Sequence, residues 1–408
     1  MNCRFCNTPL HFEFLDLVNS PPSNSFLAID QLNEPEVFFP LRVWVCDNCF
    51  LVQIDEYEKS SAIFNNDYVY FSSFSKSWLN HVKNYCEEVV KRLSLNEASK
   101  VIEIASNDGY LLQFFLEKKI PVLGIEPTKN TASIAIEKGI ETVTEFFGSV
   151  LAEELTKKGI QADLLIGNNV LAHVPNINDF VAGMKRILST IGTITLEFPH
   201  LIQMINKNQF DTIYHEHFSY LSLYTVQKIF FQQELEIYDV DEISTHGGSL
   251  RIYVKHLDDT SKQVSSKVSY LISQEKLNGV DTLAYYTGFI KKVEQIKIDF
   301  LSFLIAQKKN GKKVVGYGAA AKGNTLLNYC GVKKDLISFV VDANPNKQDK
   351  YLPGSHIPVV SEEQLKKFHP DFVIIFPWNL STEIMNQLNY IRDWGGKFLI
   401  PIPSVIID

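Results

Sequence analysis

The chain has 408 residues, 45% hydrophobic and 21% charged, which is too long for one comfortable core and typical of globular proteins. Lys and Arg number 39 against 47 Asp and Glu, and a net charge of −8 without a long basic run opposes nucleic acid as the main partner. No stretch reaches the roughly 18 to 20 apolar residues of a membrane helix, and MNCRFCNTPL lacks the basic start and apolar run of an export signal. A cytoplasmic protein away from membranes is expected, and nothing calls for more than a monomer.

The amino end carries two knuckles, Cys3-x-x-Cys6 and Cys46-x-x-Cys49, with 39 residues between the pairs. Four thiolates at this spacing predict a closed, structural zinc site rather than disulfides or a catalytic metal. A zinc ribbon alone would also suit a nucleic-acid or protein scaffold, but clustered Lys and Arg are missing. Cys86 and Cys330 read as ordinary buried thiols.

After the aromatic DYVYFSSFSKSW comes a helical pattern, HVKNYCEEVVKRL, and then short apolar runs alternating with amphipathic ones. KVIEIAS, VLGIE, DLLIGNN and TITLEF predict strands of a mostly parallel sheet, with YLLQFFLEKK and TASIAIEKG among the helices between them. Ligands of such sheets sit at the strands' carboxyl ends. The first strand ends in Glu103, followed by Ser106-Asn107-Asp108-Gly109 and a helix. One glycine beside two acids suits a cationic sulfonium with an amino-acid tail better than a pyrophosphate, which would want G-x-G-x-x-G. Glu126 ends the next strand, placed for ribose hydroxyls, and Asn168-Asn169 ends the fourth, near an adenine edge and the reacting methyl. The cofactor predicted here is S-adenosylmethionine.

Residues 211–224, DTIYHEHFSYLSLY, gather Tyr214, His215, Glu216 and His217. Extended backbone would put 215 and 217 on one face and 214 and 216 on the other, whereas a turn would let all converge. A histidine supported by a carboxylate is a candidate general base, and tyrosines can stabilise an oxyanion. The alternatives are metal ligation by residues 215–217, without H-E-x-x-H spacing, or a plain surface loop.

A helical stretch, roughly 258–310, leads to a second α/β series with strands in KKVVGYG, LISFVVD and DFVIIFPW and helices in KGNTLLNYC and EEQLKKF. Gly316, Gly318 and Gly323 with Lys322 at a helix entrance suit a diphosphate. A nicotinamide site with Asp342 on the ribose, or a fold remnant without ligand, are the other readings.

These motifs together resemble the three-domain, zinc-containing sugar C-methyltransferases that act on nucleotide-linked 4-keto-deoxysugars. The resemblance covers essentially the whole chain and rests on the paired knuckles, EIASNDGYLL, GIEPTKNTA, GNNVLAHVPNINDF, EFPHL, YHEHFSYLS, HGGSLR and GYGAAAKGNTLLN. Ala105 and Tyr110 depart from the smaller or polar residues common there. The resemblance implies a zinc module over 1–66, a Rossmann-like methyltransferase domain over 67–257, and a helical connector with a Rossmann-like nucleotide-sugar domain over 258–408. It implies removal of the proton beside the keto group, at carbon three of a thymidine-diphosphate sugar, and methylation of the resulting enolate. His217 matches the base, and Tyr68, His173, Tyr214 and Glu216 the other active-site positions. His215, Gly318, Lys322 and Asn324 are expected to touch the substrate. A methyltransferase acting on oxygen or on a non-sugar molecule is the alternative enzyme.

Overall fold

The computed structural model describes residues 1–57, 59 and 71–408, so Tyr68 lies outside the described residues. Three strands open the chain as an antiparallel meander: β1 (Phe12–Ser20), β2 (Phe39–Val45) and β3 (Val52–Ile54). Their inward side chains do not form a core of their own. Phe14, Leu17 and Val43 share one apolar cluster with Phe289, Val293 and Phe300 of the helix Phe289–Lys309. Phe14 stacks on Phe289 at 5.1 Å, so the amino-terminal meander is held to this helix by aromatic burial.

The helix Lys76–Leu93, whose first turn is capped by the Ser75 hydroxyl, leads into the central layer. There β4 (Val101–Ile104), β5 (Val122–Ile125), β6 (Thr142–Val143), β7 (Ala162–Asn168) and β8 (Leu188–Pro199) alternate with helices. β4 and β5 are buried at every position, because helices cover both faces of a parallel sheet. The chain then leaves this layer for β9 (Ser219–Tyr220), which pairs antiparallel with β3. It returns as the hairpin β10 (Leu235–Ile243) and β11 (Ser249–His256). The seven strands lie in the order β10-β11-β8-β7-β4-β5-β6, with β11 antiparallel to β8. Successive strands leave β4 first toward β6 and then toward β8, which opens a crevice at the carboxyl ends of β4 and β7.

Helices Ser266–Leu277, Leu283–Tyr286 and Phe289–Lys309 fill the predicted helical stretch. The last layer holds β12 (Val314–Tyr317), β13 (Val340–Val341), β14 (Val359–Val360), β15 (Phe372–Ile375), β16 (Lys397–Ile400) and β17 (Ile406–Ile407), ordered β14-β13-β12-β15-β16-β17. All are parallel except the edge strand β17. Cys86 and Cys330 are free, buried thiols, as read from the sequence. Among the described residues no helix is long and apolar enough to cross a membrane.

Candidate active site

The four amino-terminal cysteines meet. Their sulfurs all lie within 4.8 Å of one another, with Cys3–Cys49 at 3.5 Å and Cys6–Cys46 at 3.4 Å. A tetrahedron of thiolates around zinc, with bonds of about 2.3 Å, puts sulfurs about 3.8 Å apart, so the cluster fits the ion. Burial pushes the Cys46 thiol up to about 11, and sharing a hydrogen with Cys49 pulls Cys3 down to about 5. Four thiolates this close repel one another, and a bound divalent cation relieves that repulsion. The Gln53 amide donates to Cys3 Sγ at 3.2 Å and fixes that ligand from outside.

A cavity of about 590 Å³ opens at the carboxyl edge of the central sheet and runs toward the last layer. On the first side, Asn107, Glu126, Asn168 and Asn169 line it. The turn after β4 is tight: Ala105, Asn107 and Gly109 all take positive φ, at 56°, 50° and 73°. A β-carbon on Gly109 would run into Ile140 and Ala135, so only glycine fits. Glu126 Oε2 accepts the Asn107 amide at 2.9 Å, and Oε1 accepts the Thr128 amide at 2.9 Å and the Thr128 hydroxyl. Burial raises the Glu126 carboxyl.

Glu103, Ser106, Asp108 and Gly109 do not line the cavity but stand behind it. Glu103 is fully buried next to the Tyr110 hydroxyl, which also accepts from the Asn168 amide at 3.5 Å. Burial raises the Glu103 carboxyl well above its ordinary value. Asp108 takes the Ser73 amide at 3.2 Å and so braces the loop. Asn169 Oδ1 is buried and accepts from no protein group among the described residues, an acceptor aimed at a ligand with donors to offer.

The YHEH stretch is a turn, which resolves the two readings of it. The His217 amide bonds back to the Tyr214 carbonyl at 2.9 Å, so both rings face the cavity together. His217 Nδ1 donates to the Thr212 carbonyl at 2.8 Å, and that fixes the tautomer. Nε2 is then an acceptor, and the Tyr214 hydroxyl donates to it at 2.8 Å. His173 comes from the far side, ring centroid 4.6 Å from that of His217. Burial holds His173 down to about 4 and His217 well below the usual histidine value, so both are neutral at pH 7. Glu216 also lines the cavity and accepts from Asn24 of the amino-terminal region at 2.6 Å.

His215 lies apart from its three neighbours. It turns away from the cavity, meets the Pro40 carbonyl at 3.2 Å and packs beside Phe39 and Tyr57, because in this turn its neighbours take the inner positions. No metal group forms with Glu216 and His217; among the described residues only the cysteine cluster could hold an ion.

The last layer supplies Lys322, Lys347 and Asn379 to the cavity wall. Lys322 Nζ donates to Asn379 Oδ1 at 3.0 Å and sits 4.2 Å over the Trp378 ring. Burial lowers the Lys322 amine to about 8 and raises the nearby Asp211 carboxyl to about 6. Gly318 and Asn324, expected at the substrate, do not line the cavity. A β-carbon on Gly318 would strike Pro377, and one on Gly316 would lie 2.5 Å from Phe376, so these glycines let the segment after β15 pack closely. Asn324 donates to the Ser23 carbonyl at 2.5 Å and ties the amino-terminal loop down. Asp342 accepts the Ala319 and Asn344 amides at 2.7 and 2.8 Å with Lys347 alongside at 3.9 Å and, unlike Glu126, does not line the cavity, so it braces its own loop.

Asn24, Trp78 and His246 are among the cavity residues that the sequence did not nominate, as are Lys347 and Asn379. His246 takes a left-handed φ of 53° and meets the Asn169 amide at 3.1 Å, held there by Thr245 on Glu197 at 2.7 Å. The H-G-G triplet was its only signal in the sequence.

Comparison with known proteins agrees with this layout. The chain matches the zinc-binding domain family over residues 3–64, the methyltransferase domain family over 78–240, and the C-methyltransferase C-terminal domain family over 244–403. It is 32% identical over 405 residues to the C-methyltransferase NovU of Streptomyces niveus, covering 98% of this chain and 95% of that protein. Solved structures similar to it include an S-adenosylmethionine-dependent methyltransferase of Clostridium acetobutylicum (10% identity, TM-score 0.36, 44% of this chain and 92% of that one). Another comes from Anabaena variabilis (16% identity, TM-score 0.36, 43% and 85%). The chain belongs to the zinc-containing, S-adenosylmethionine-dependent C-methyltransferase family, with its zinc-binding, methyltransferase and C-terminal parts in the same chain.

Proposed function

We propose that this enzyme methylates carbon three of a nucleotide-linked 4-keto-deoxysugar, with a thymidine diphosphate as carrier, and that His217 is the general base. The supporting observation is the state of His217: neutral, tautomer fixed by Thr212, and its Nε2 lone pair directed toward Tyr214 in a cavity that joins the cofactor edge to Lys322. S-adenosylmethionine, when bound, supplies an electrophilic methyl on a sulfonium sulfur. Asn107, Glu126, Asn168 and Asn169 would hold it, Glu126 facing the ribose and the asparagines the adenine and the amino-acid end. Glu103, Ser106, Asp108 and Gly109 would support that loop from behind.

In the reaction His217 Nε2 takes the proton from carbon three as the carbon's electron pair moves toward the keto oxygen. The Tyr214 hydroxyl turns from the ring to that oxygen and, with His173, stabilises the enolate. The enolate so formed is the nucleophile to which bound S-adenosylmethionine would supply its methyl, the carbon–sulfur bonding pair remaining with sulfur. Glu216, held by Asn24, orients a sugar hydroxyl, and Tyr68 completes the set. Lys322 meets the diphosphate as an ammonium. No step calls on the structural zinc.

The test is incubation with S-adenosylmethionine and a thymidine-diphosphate 4-keto-6-deoxysugar in deuterated water, reading product mass for wild type and His217→Ala. A gained methyl that the variant loses supports the reading. Solvent deuterium entering the recovered, unmethylated sugar at carbon three would favour carbon over oxygen as acceptor. Cofactor binding without either change would sink the sugar assignment.

A further inference from the structure

We propose that Arg4 is a positioning residue for the methyl transfer, its guanidinium setting the spacing of the two cavity histidines, His173 and His217. The inference rests on the proposed role of those histidines. Arg4 follows Cys3 in the first knuckle, and its side chain leaves the cysteine cluster for the catalytic segments. One guanidinium nitrogen donates to the Pro175 carbonyl at 2.9 Å and the other to the Ile54 carbonyl at 2.7 Å.

Each carbonyl belongs to a segment that carries or borders a histidine. Pro175 stands two residues after His173 and itself lines the cavity. Ile54 ends β3, and its amide donates to the carbonyl of Phe218, the residue after His217, at 3.1 Å. Arg4 also lies 5.3 Å over the Phe218 ring. A rigid, planar fork thus spans the His173 loop on one side and the strand pair beside His217 on the other, which lysine cannot reproduce.

The anchor is equally well tied. The Arg4 amide donates to Gln53 Oε1 at 2.9 Å, while Gln53 Nε2 reaches Cys3 Sγ at 3.2 Å. The Asn178 amide, from the helix after Pro175, donates to the Phe5 carbonyl at 2.8 Å. One cluster of contacts therefore connects the knuckle, the strand beside His217 and the segment after His173. A displacement of about 1 Å between reacting groups can cost about 10²-fold in rate, so a fork of this kind bears directly on turnover.

The experiment compares wild type with Arg4→Lys and Arg4→Met in the full chain. Zinc per chain, thermal midpoint, S-adenosylmethionine affinity, kcat and KM are measured, together with the imidazole nitrogen resonances of His173 and His217. Both variants are expected to keep one zinc and wild-type cofactor affinity, to lose about 10- to 100-fold in kcat with KM within about twofold, and to shift both histidine resonances. If Arg4→Met fails to fold, Arg4→Lys, which keeps the charge and stem, decides. Unmoved histidine resonances, or a kcat loss that follows zinc content or thermal midpoint, would overturn the proposal. If wild type leaves the sugar unmethylated, the substrate reading fails and the resonances still judge Arg4.

Discussion

The central sheet and the carboxyl-terminal sheet build the same device and use it differently. In each, a strand runs into a glycine turn and a helix, and an acid at the end of the neighbouring strand braces the turn. Glu126 accepts the amides of Asn107 and Thr128; Asp342 accepts those of Ala319 and Asn344. In each, a glycine is required by close packing, Gly109 on Ile140 and Gly318 on Pro377. The difference lies in what faces the cavity. Glu126 lines it, whereas Asp342 does not and has Lys347 beside it; the second sheet contributes lysines instead. A glycine turn with an acid is therefore a way of folding a loop, and the ligand is chosen by the charge presented beyond it.

The strongest way to sharpen this contrast is to remove the chemistry that lies between the two sheets. His217→Ala should lower kcat by about 10²- to 10⁴-fold while equilibrium binding of S-adenosylmethionine stays at the wild-type value; a matching loss of cofactor affinity would mean the residue serves the first sheet's site. Next, Lys322→Met should raise the KM for the proposed nucleotide-sugar substrate by about 10- to 100-fold, the scale of one charged hydrogen bond, with kcat and cofactor affinity little changed. Because the free amine is lowered to about 8, wild-type kcat/KM for the sugar should fall as pH rises through that value, and the variant should lack this limb.

The direct comparison is Glu126→Ala against Asp342→Ala. Calorimetric titration should show the first weakening S-adenosylmethionine binding by about tenfold or more and the second leaving it within about twofold, since of the two acids Glu126 alone lines the cavity. Equal losses would break the distinction. Asp342→Ala should instead cost about 1–3 kcal/mol of stability through its orphaned loop amides.

The smallest effect is on pH stability. His173 and His246 are held at about 4, below their ordinary value, so the unfolded chain takes up protons from pH 6.5 downward that the folded chain refuses until near 4. Their contribution to stability is present above 6.5 and is lost as pH falls. Asp211, raised to about 6, has the opposite sign: the folded chain binds its proton first, and this offsets part of the loss between pH 7 and 5. Thermal melts of Asp211→Asn should therefore fall more steeply over that range than those of wild type, by about 1 kcal/mol; a shallower fall would reverse the assignment.

Much of the central sheet was legible because its signals are local. Runs such as VIEI and VLGI are apolar at every position, the mark of strands covered on both faces. The cysteine knuckles, Asn107, Glu126, Asn168 and Asn169 could be nominated because spacing and strand ends fix where they lie. The hairpin β10–β11 could not, since LEIYDVDEI alternates weakly and its pairing with β8 depends on partners about 50 residues away. His215 was nominated with its neighbours, yet the turn directs it to Pro40. Asn324, Gly318 and Asn24 carry no local sign of whether they serve the fold or the cavity.

The amino-acid sequence by itself thus determined the metal donor set, the strand–turn–helix units and the residue types available for acid–base work. Only the tertiary structure decided which of them meet. It brought His173 to His217, placed Asn24 on Glu216, set Lys322 across from the first sheet and let Arg4 span the Pro175 and Ile54 carbonyls. The physical reason is range: propensity, periodicity and spacing act over a few residues, whereas burial and hydrogen bonds between distant segments are settled only when the whole chain packs.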